Sequence, residues 1–263
     1  MKRRIVMRAS SPLRTRAALI RCVVVVAALI VWAGAVRLGF VDPVFVSSPG
    51  DVGRALAGFT RDAEVLSALV VTVRTILIAF VIGTVAGLVV GTVLGLSRTL
   101  KDAYMPPILF LLSTPKSMFL PLFVLSFGIT TQTAIAFGAF TVFFYVCVNI
   151  VGGVELVEAH HLRLARAFGA SRLSTFRHVV FPASLPGFFA ALWHGMTHAV
   201  SSILLAQLFV AIGGLGTLIS VYSTSLQTDK ALALTVVISV IAVALAALWS
   251  ITERRLTSWR ANQ

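Results

Sequence analysis

The sequence predicts an all-α membrane protein of six transmembrane helices with both termini in the cytoplasm. Three observations carry this reading. Of 263 residues, 58% are hydrophobic and 12% charged, and mean hydropathy is +0.98; a soluble domain of that length needs far more surface charge. Apolar runs of about 20 residues, enough to cross a bilayer, recur along the chain. Lys and Arg gather between those runs, as expected of cytoplasmic flanks. The net charge of +13 is thereby assigned to topology, and nucleic acid is not an expected partner.

The expected spans are 19–37, 70–97, 104–127, 131–151, 186–212 and 230–252, within one transmembrane unit over 19–252 flanked by basic tails at 1–18 and 253–263. The first run follows Lys2, Arg3, Arg4, Arg8, Arg14, Arg16 and Arg21, and Ala33-Gly34-Ala35 resembles a signal-peptidase site. It is read as an uncleaved first helix, with a cleaved signal peptide as the alternative. The third run carries Pro106 and Pro107 near its start and is interrupted by Thr114-Pro115-Lys116-Ser117. Such a break is tolerated only where the freed backbone groups meet protein or water.

Orientation follows from the basic residues. Sixteen lie in the N-terminal stretch up to Arg21, the 98–103 loop, the 152–185 loop and the C-terminal tail, against Arg37, Arg54, Arg61 and Lys230 on the other side. That asymmetry predicts N-in and C-in.

Several function classes are disfavoured. No Asp or Glu lies inside an apolar core, where ion-coupled carriers usually keep one. No phosphate-binding G-x-x-x-x-G-K-[ST] loop occurs, so the chain is not expected to hydrolyse ATP. Gly213-Gly214-Leu215-Gly216 reads as a turn after the fifth span. Cys22 and Cys147 are read as packed hydrophobes. His194 and His198 share a helix face but lack the glutamate and third ligand of a zinc site, so neither a metal nor a catalytic residue is expected. They are read as lining a path, together with Lys116, Ser117 and Gln207. Gly83, Gly87, Gly91 and Gly95 recur every fourth residue on one face of the second span, where a second helix can approach closely.

The 152–185 loop is the most informative stretch. Leu156, Ala159, Leu162, Ala165 and Phe168 suggest a short helix over 155–168, ended by Gly169 in a left-handed C′ conformation. Ser171 is placed to cap a second helix over 172–180. Pro182 is expected to stop it, and Pro186 to open the fifth span. The product is a punctuated basic knuckle. A helix lying on lipid accounts for its charge, whereas docking of a cytoplasmic partner accounts for charge and punctuation together.

This knuckle resembles the conserved cytoplasmic loop of ABC-importer permeases, E-A-A, three residues, G, nine residues, I-x-L-P. Ala165, Gly169, Val179, Phe181 and Pro182 fall at matching places, while Arg163 and Leu164 replace the Glu and the first Ala. "FVSSPGDVGRAL", "STPKSMFLPLFVLSFGI", "NIVGGV" and Gly214-Leu215-Gly216 extend the resemblance to the nitrate/sulfonate/taurine branch. Gln207 stands where that branch often has Glu, and Trp193 and His198 where it often has Arg. The resemblance implies the type I importer permease fold in a bacterial plasma membrane. It also implies a second copy, an extracytoplasmic solute-binding protein and a separate ATPase that binds ATP and Mg²⁺. In that scheme Arg163, Ala165, Phe168, Gly169, Ala170, Val179 and Pro182 are the coupling residues. An ATP-independent carrier or channel is the alternative, and a membrane enzyme is a third class hinted at only by the histidine pair.

Overall fold

The computed structural model describes residues 12–42, 44–157 and 159–256, and every regular element among them is a helix. The chain runs through α1 (Pro12–Arg37), α2 (Pro49–Phe59), α3 (Ala63–Leu96), α4 (Arg98–Ser113), a 3₁₀ turn (Lys116–Phe119), α5 (Leu120–Phe127) and α6 (Thr131–Glu155). It continues through α7 (Ala159–Ala167), α8 (Arg172–Thr175), a π-turn (Phe176–Val180), α9 (Phe181–Val210), α10 (Leu215–Thr224) and α11 (Thr228–Leu256). Residues 1–11 and 257–263, with Lys2, Arg3, Arg4, Arg8 and Arg260, lie outside the described residues.

Five of these helices are long and apolar enough to cross a membrane, and six if the bent pair α4–α5 counts as one crossing. The pair turns by 94° at the break around Lys116. The third span is therefore two helices and not one, because Pro115 supplies no N–H where the chain leaves α4. Pro106 and Pro107 sit within α4, which continues through them.

Local chemistry sets the starts. Ser48 caps α2 by accepting from the Asp51 N–H at 3.3 Å and returns its own hydroxyl to the Asp51 carboxylate at 2.7 Å, with Pro49 in the first turn. Asp62 caps α3 by accepting from Glu64 N–H at 2.9 Å and Val65 N–H at 3.3 Å. That cap starts the helix at Ala63 instead of 70. Neither α2 nor α10 was anticipated; both are too short to read as spans.

The core is a sandwich of α3, α6 and α9, with α6 in the middle. Ile76 and Ala79 of α3 meet Phe137, Val142 and Val146 of α6, and Ala191, Ala199 and Ile203 of α9 close the cluster. Gly83, Gly87, Gly91 and Gly95 all face α6 of the same chain. A Cβ on Gly83 would lie 2.6 Å from the Ala139 carbonyl oxygen, on Gly87 2.8 Å from Val146 Cβ, on Gly91 2.8 Å from the Cys147 carbonyl oxygen and on Gly95 2.9 Å from Val154 Cβ. The other side of α6 crosses α9 at Gly153 and Gly187, where the two backbones touch. A second cluster joins α2, α3, α10 and α11 through Val52, Phe59, Ala68, Leu215, Leu218, Tyr222 and Leu234. By contrast, residues 19–31 of α1 are all exposed, Cys22 included, whereas Cys147 is buried.

Candidate functional site

Two features stand apart from the packed bundle: the knuckle between α6 and α9, and a polar strip across α6 and α9 beside the α4–α5 break.

In the knuckle, Glu155 belongs to the last turn of α6 and not to the first short helix, which begins at Ala159. Glu155 instead pairs with Lys101 of α4. At the other end of α7 the Ala170 N–H donates to the Ala165 carbonyl at 3.0 Å, across Gly169 at φ +70°. This is a Schellman turn, and it explains a glycine at that position. No atom lies within 4 Å of where a Cβ would be on Gly169. The glycine is there for its backbone and not for space. Ser171 then caps α8, accepting from Ser174 N–H at 3.2 Å.

Pro182 does not end the second helix. The chain passes from α8 through the π-turn directly into α9, and the Phe181 N–H donates five residues back to Phe176. The π-turn shifts the bonding register by one residue, and the helix runs on through Pro182, which donates no N–H. Pro186 consequently lies inside α9 and not at its start. Phe176, Val179 and Val180 pack on Val154 and Val157 at the end of α6, anchoring this half of the knuckle to the bundle. The tip is bare: Phe168 is 86% exposed, Leu164 43%, and Arg163 and Gly169 are exposed, whereas Ala165, Ala170 and Pro182 are half-buried. An aromatic ring held in water by a rigid turn costs free energy unless something covers it.

The polar strip is built on helical spacing. His194, Thr197, His198 and Ser201 share one face of α9; His198 is half-buried and the other three are exposed. The His198 ring stacks on Tyr145 of α6, centroids 3.3 Å apart and planes 9° from parallel. Lys116 reaches the same place from the break: its Nζ lies 5.0 Å from the centre of the Tyr145 ring. The ammonium donates to the Leu112 carbonyl and lies 3.5 Å from that of Thr114. Ser117, next to it, is exposed. Asn149 bonds back to the Tyr145 carbonyl at 2.7 Å. No group of three or more potential metal ligands occurs among the described residues.

Gln207 lies elsewhere. It is 1% exposed; its Oε1 accepts from Thr72 Oγ1 at 3.0 Å and from Gly216 N–H at 3.3 Å, while Thr72 Oγ1 accepts from Leu215 N–H at 2.8 Å. Thr217 Oγ1 donates to the Gln207 carbonyl at 2.9 Å. Gln207 thus ties α3, α9 and α10 together and does not join the polar strip. Sequence reasoning missed Tyr145, Thr197 and Ser201; Thr197 and Ser201 were visible as i+3 and i+7 partners of His194.

Comparisons agree with this architecture. The family described as "Binding-protein-dependent transport system inner membrane component" matches residues 83–258. The taurine transport system permease protein TauC of Escherichia coli is 30% identical over 237 residues, spanning 88% of this chain and 86% of that protein. The putative aliphatic sulfonates transport permease protein SsuC of Bacillus subtilis is 25% identical over 231 residues, 88% and 83% of the two chains. A solved structure of the MetNI methionine ABC transporter, inward facing, superposes with a TM-score of 0.63 at 20% identity, covering 74% of this chain and 95% of that one. An amino acid ABC transporter crystallised with histidines gives 0.61 at 20%, covering 73% and 94%. The chain belongs to the binding-protein-dependent transport system inner membrane components: it is a multi-pass permease subunit of a bacterial inner-membrane ABC importer, a transport subunit and not an enzyme.

Proposed function

We propose that two copies of this chain form the path by which a sulfonate, nitrate or taurine-like compound, or another small organic solute, enters the cell. Both termini face the cytoplasm, and the lipid bilayer surrounds the apolar exterior. A cytoplasmic ATPase, carrying ATP and Mg²⁺, docks on the knuckle. An extracytoplasmic solute-binding protein delivers the solute. The observation that carries this reading is Phe168, 86% exposed at the tip of a turn fixed by Gly169. A buried aromatic anchor is what dominates protein interfaces, and the described residues of its own chain leave this ring uncovered. The taurine and sulfonate relatives support the solute class.

The mechanical sequence follows from the attachments. ATP binding draws the two ATPases together, and each carries the tip of its knuckle. Phe176, Val179 and Val180 transmit that displacement to the end of α6, and α8 passes it through the π-turn into α9 without a flexible break. The half of the polar strip on α9 therefore moves with the knuckle. The inward-open and outward-open arrangements need differ by only a few kcal/mol for ATP and solute to shift the balance. The polar strip supports a path between copies, because Lys116 and the histidines facing lipid would be costly.

The test is to purify a tagged copy in mild detergent and identify its companions. An ATPase in equal amount, lost in a Phe168→Ala/Gly169→Val variant, is the expected result. Recovery of the chain alone, active in proteoliposomes without ATP, favours a self-sufficient carrier or channel and overturns the proposal.

A further inference from the structure

Building on the transport reading, we propose that Lys116, Tyr145 and His198 form a station for the oxyanion head of an organic acid, and that its apolar tail lies in the groove between α5 and the end of α9. The preferred solute is then an alkyl oxyanion, such as an aliphatic sulfonate, and not a zwitterion such as taurine.

Charge balance comes first. Tyr145 and His198 lie in the middle thirds of α6 and α9, so the Lys116 ammonium held beside Tyr145 sits at mid-bundle depth. The ion pairs among the described residues join Arg54 to Asp51, Arg98 to Asp102 and Lys101 to Glu155, all near helix ends. None reaches Lys116. Besides Tyr145, the other ionisable side chains beside His198 are His194, one turn away on the same face of α9, and Lys116, and neither can supply a negative charge. A cation at membrane depth is costly unless an anion joins it.

The simplest structural account is that Lys116 caps α4, since it bonds the Leu112 carbonyl in the last turn. A helix C-terminus supplies only about half a negative charge. Capping satisfies the N–H groups but leaves the site net positive. The Tyr145 ring adds a cation–π contact, again without neutralising it. A transient anion completes the balance.

The groove adds the tail. Ser117, beside Lys116, lines a cavity of about 630 Å³ whose other walls include Leu120, Val124, Leu125, Leu205 and Phe209. That volume suits a small organic molecule. Apart from Ser117, every residue lining it is apolar, and no carboxylate of the described chain lines it to receive a taurine ammonium. An alkyl chain loses nothing there, while an ammonium loses its hydration without a partner.

The experiment uses the full-length chain in nanodiscs, in Tris chloride buffer free of organic anions, with empty nanodiscs as control. Inorganic sulfate, taurine, ethanesulfonate, propanesulfonate and butanesulfonate are titrated by calorimetry. Affinity is expected to rise about fourfold per methylene along the alkyl series, with taurine weaker than ethanesulfonate. Lys116→Gln keeps a donor for the Leu112 carbonyl but removes the charge, and should weaken butanesulfonate about ten- to hundredfold. Lys116→Arg should retain binding. Leu125→Gln, at a position 83% exposed, should flatten the chain-length dependence. No saturable binding of any sulfonate, equal binding by Lys116→Gln, or taurine matching butanesulfonate overturns the proposal. If Leu125→Gln instead separates copies of the chain and leaves the chain-length series intact, the groove belongs to the second copy and the tail assignment fails. None of these readouts involves ATP: recovery of the ATPase without sulfonate binding would leave the importer reading standing and remove only this site.

Discussion

Replacing Gly169 by valine separates backbone conformation from space at the knuckle. The residue sits at φ +70°, and nothing lies within 4 Å of a Cβ placed there. Any penalty is therefore conformational. A left-handed conformation costs an L residue about 1–2 kcal/mol, and β-branching adds to it. Opening the turn also gives up the Ala170–Ala165 hydrogen bond, worth about 1 kcal/mol. The valine variant must bear one cost or the other. At about 1.4 kcal/mol per factor of ten, the docking-competent turn falls to about a tenth of its wild-type population or less, and apparent affinity for the ATPase falls by the same factor. Asparagine tolerates the left-handed region, so Gly169→Asn should lose much less. The assay is the affinity of the purified ATPase for the chain in nanodiscs, with thermal unfolding as a check that the bundle is intact. Valine binding as tightly as glycine would refute the reasoning, as would asparagine binding as weakly as valine.

Other outcomes follow from the same structure. Phe168→Ala should abolish ATPase capture without changing the unfolding temperature, because the ring is 86% exposed; a lowered melting point would show that it packs within the bundle. Gly91→Ala sets a methyl 2.8 Å from the Cys147 carbonyl oxygen, and overpacking of about 1–3 kcal/mol should outweigh the gain of about 1 kcal/mol in helix propensity. Thermal unfolding in detergent checks the sign. Thr72→Val strands the Leu215 N–H and removes a donor to Gln207, so about 1–3 kcal/mol of stability should be lost, read in the same way. At α2, the Ser48 hydroxyl, helped by Arg54, holds the Asp51 carboxyl below its ordinary range. With the unfolded value near 3.9, the cap's stabilisation is present above about pH 4 and is lost as pH falls through the lower folded value. Hydrogen exchange of α2 amides should quicken over that interval, and Asp51→Asn should remove the response.

Much of the fold could be read from the sequence because lipid imposes long apolar runs and basic flanks. The glycine register on α3 gave a contact face outright, and only the partner, α6, had to come from the structure. The knuckle was readable at Gly169 and Ser171, whose chemistry is local. Pro182 and Pro186 misled because a π-turn and a continuous helix absorb prolines that would end an isolated helix. Gln207 misled differently: a lone amide in an apolar run signals a polar partner but not whether that partner is solute or Thr72. Tyr145 carries no periodic signal of its own, and its pairing with His198 depends on how α6 crosses α9 at Gly153 and Gly187. Helices α2 and α10 are too short for hydropathy to reveal, although Ser48-Pro49 and Gly213-Gly214 mark their starts.

The most direct test of the account places a photo-activated cross-linking amino acid at position 168 in the chain expressed in its native membrane. The account predicts one dominant protein adduct, an ABC ATPase, formed in inside-out vesicles and lost when Gly169→Val is added. Adducts to lipid alone, or to a protein reached only from the extracytoplasmic side, would contradict it.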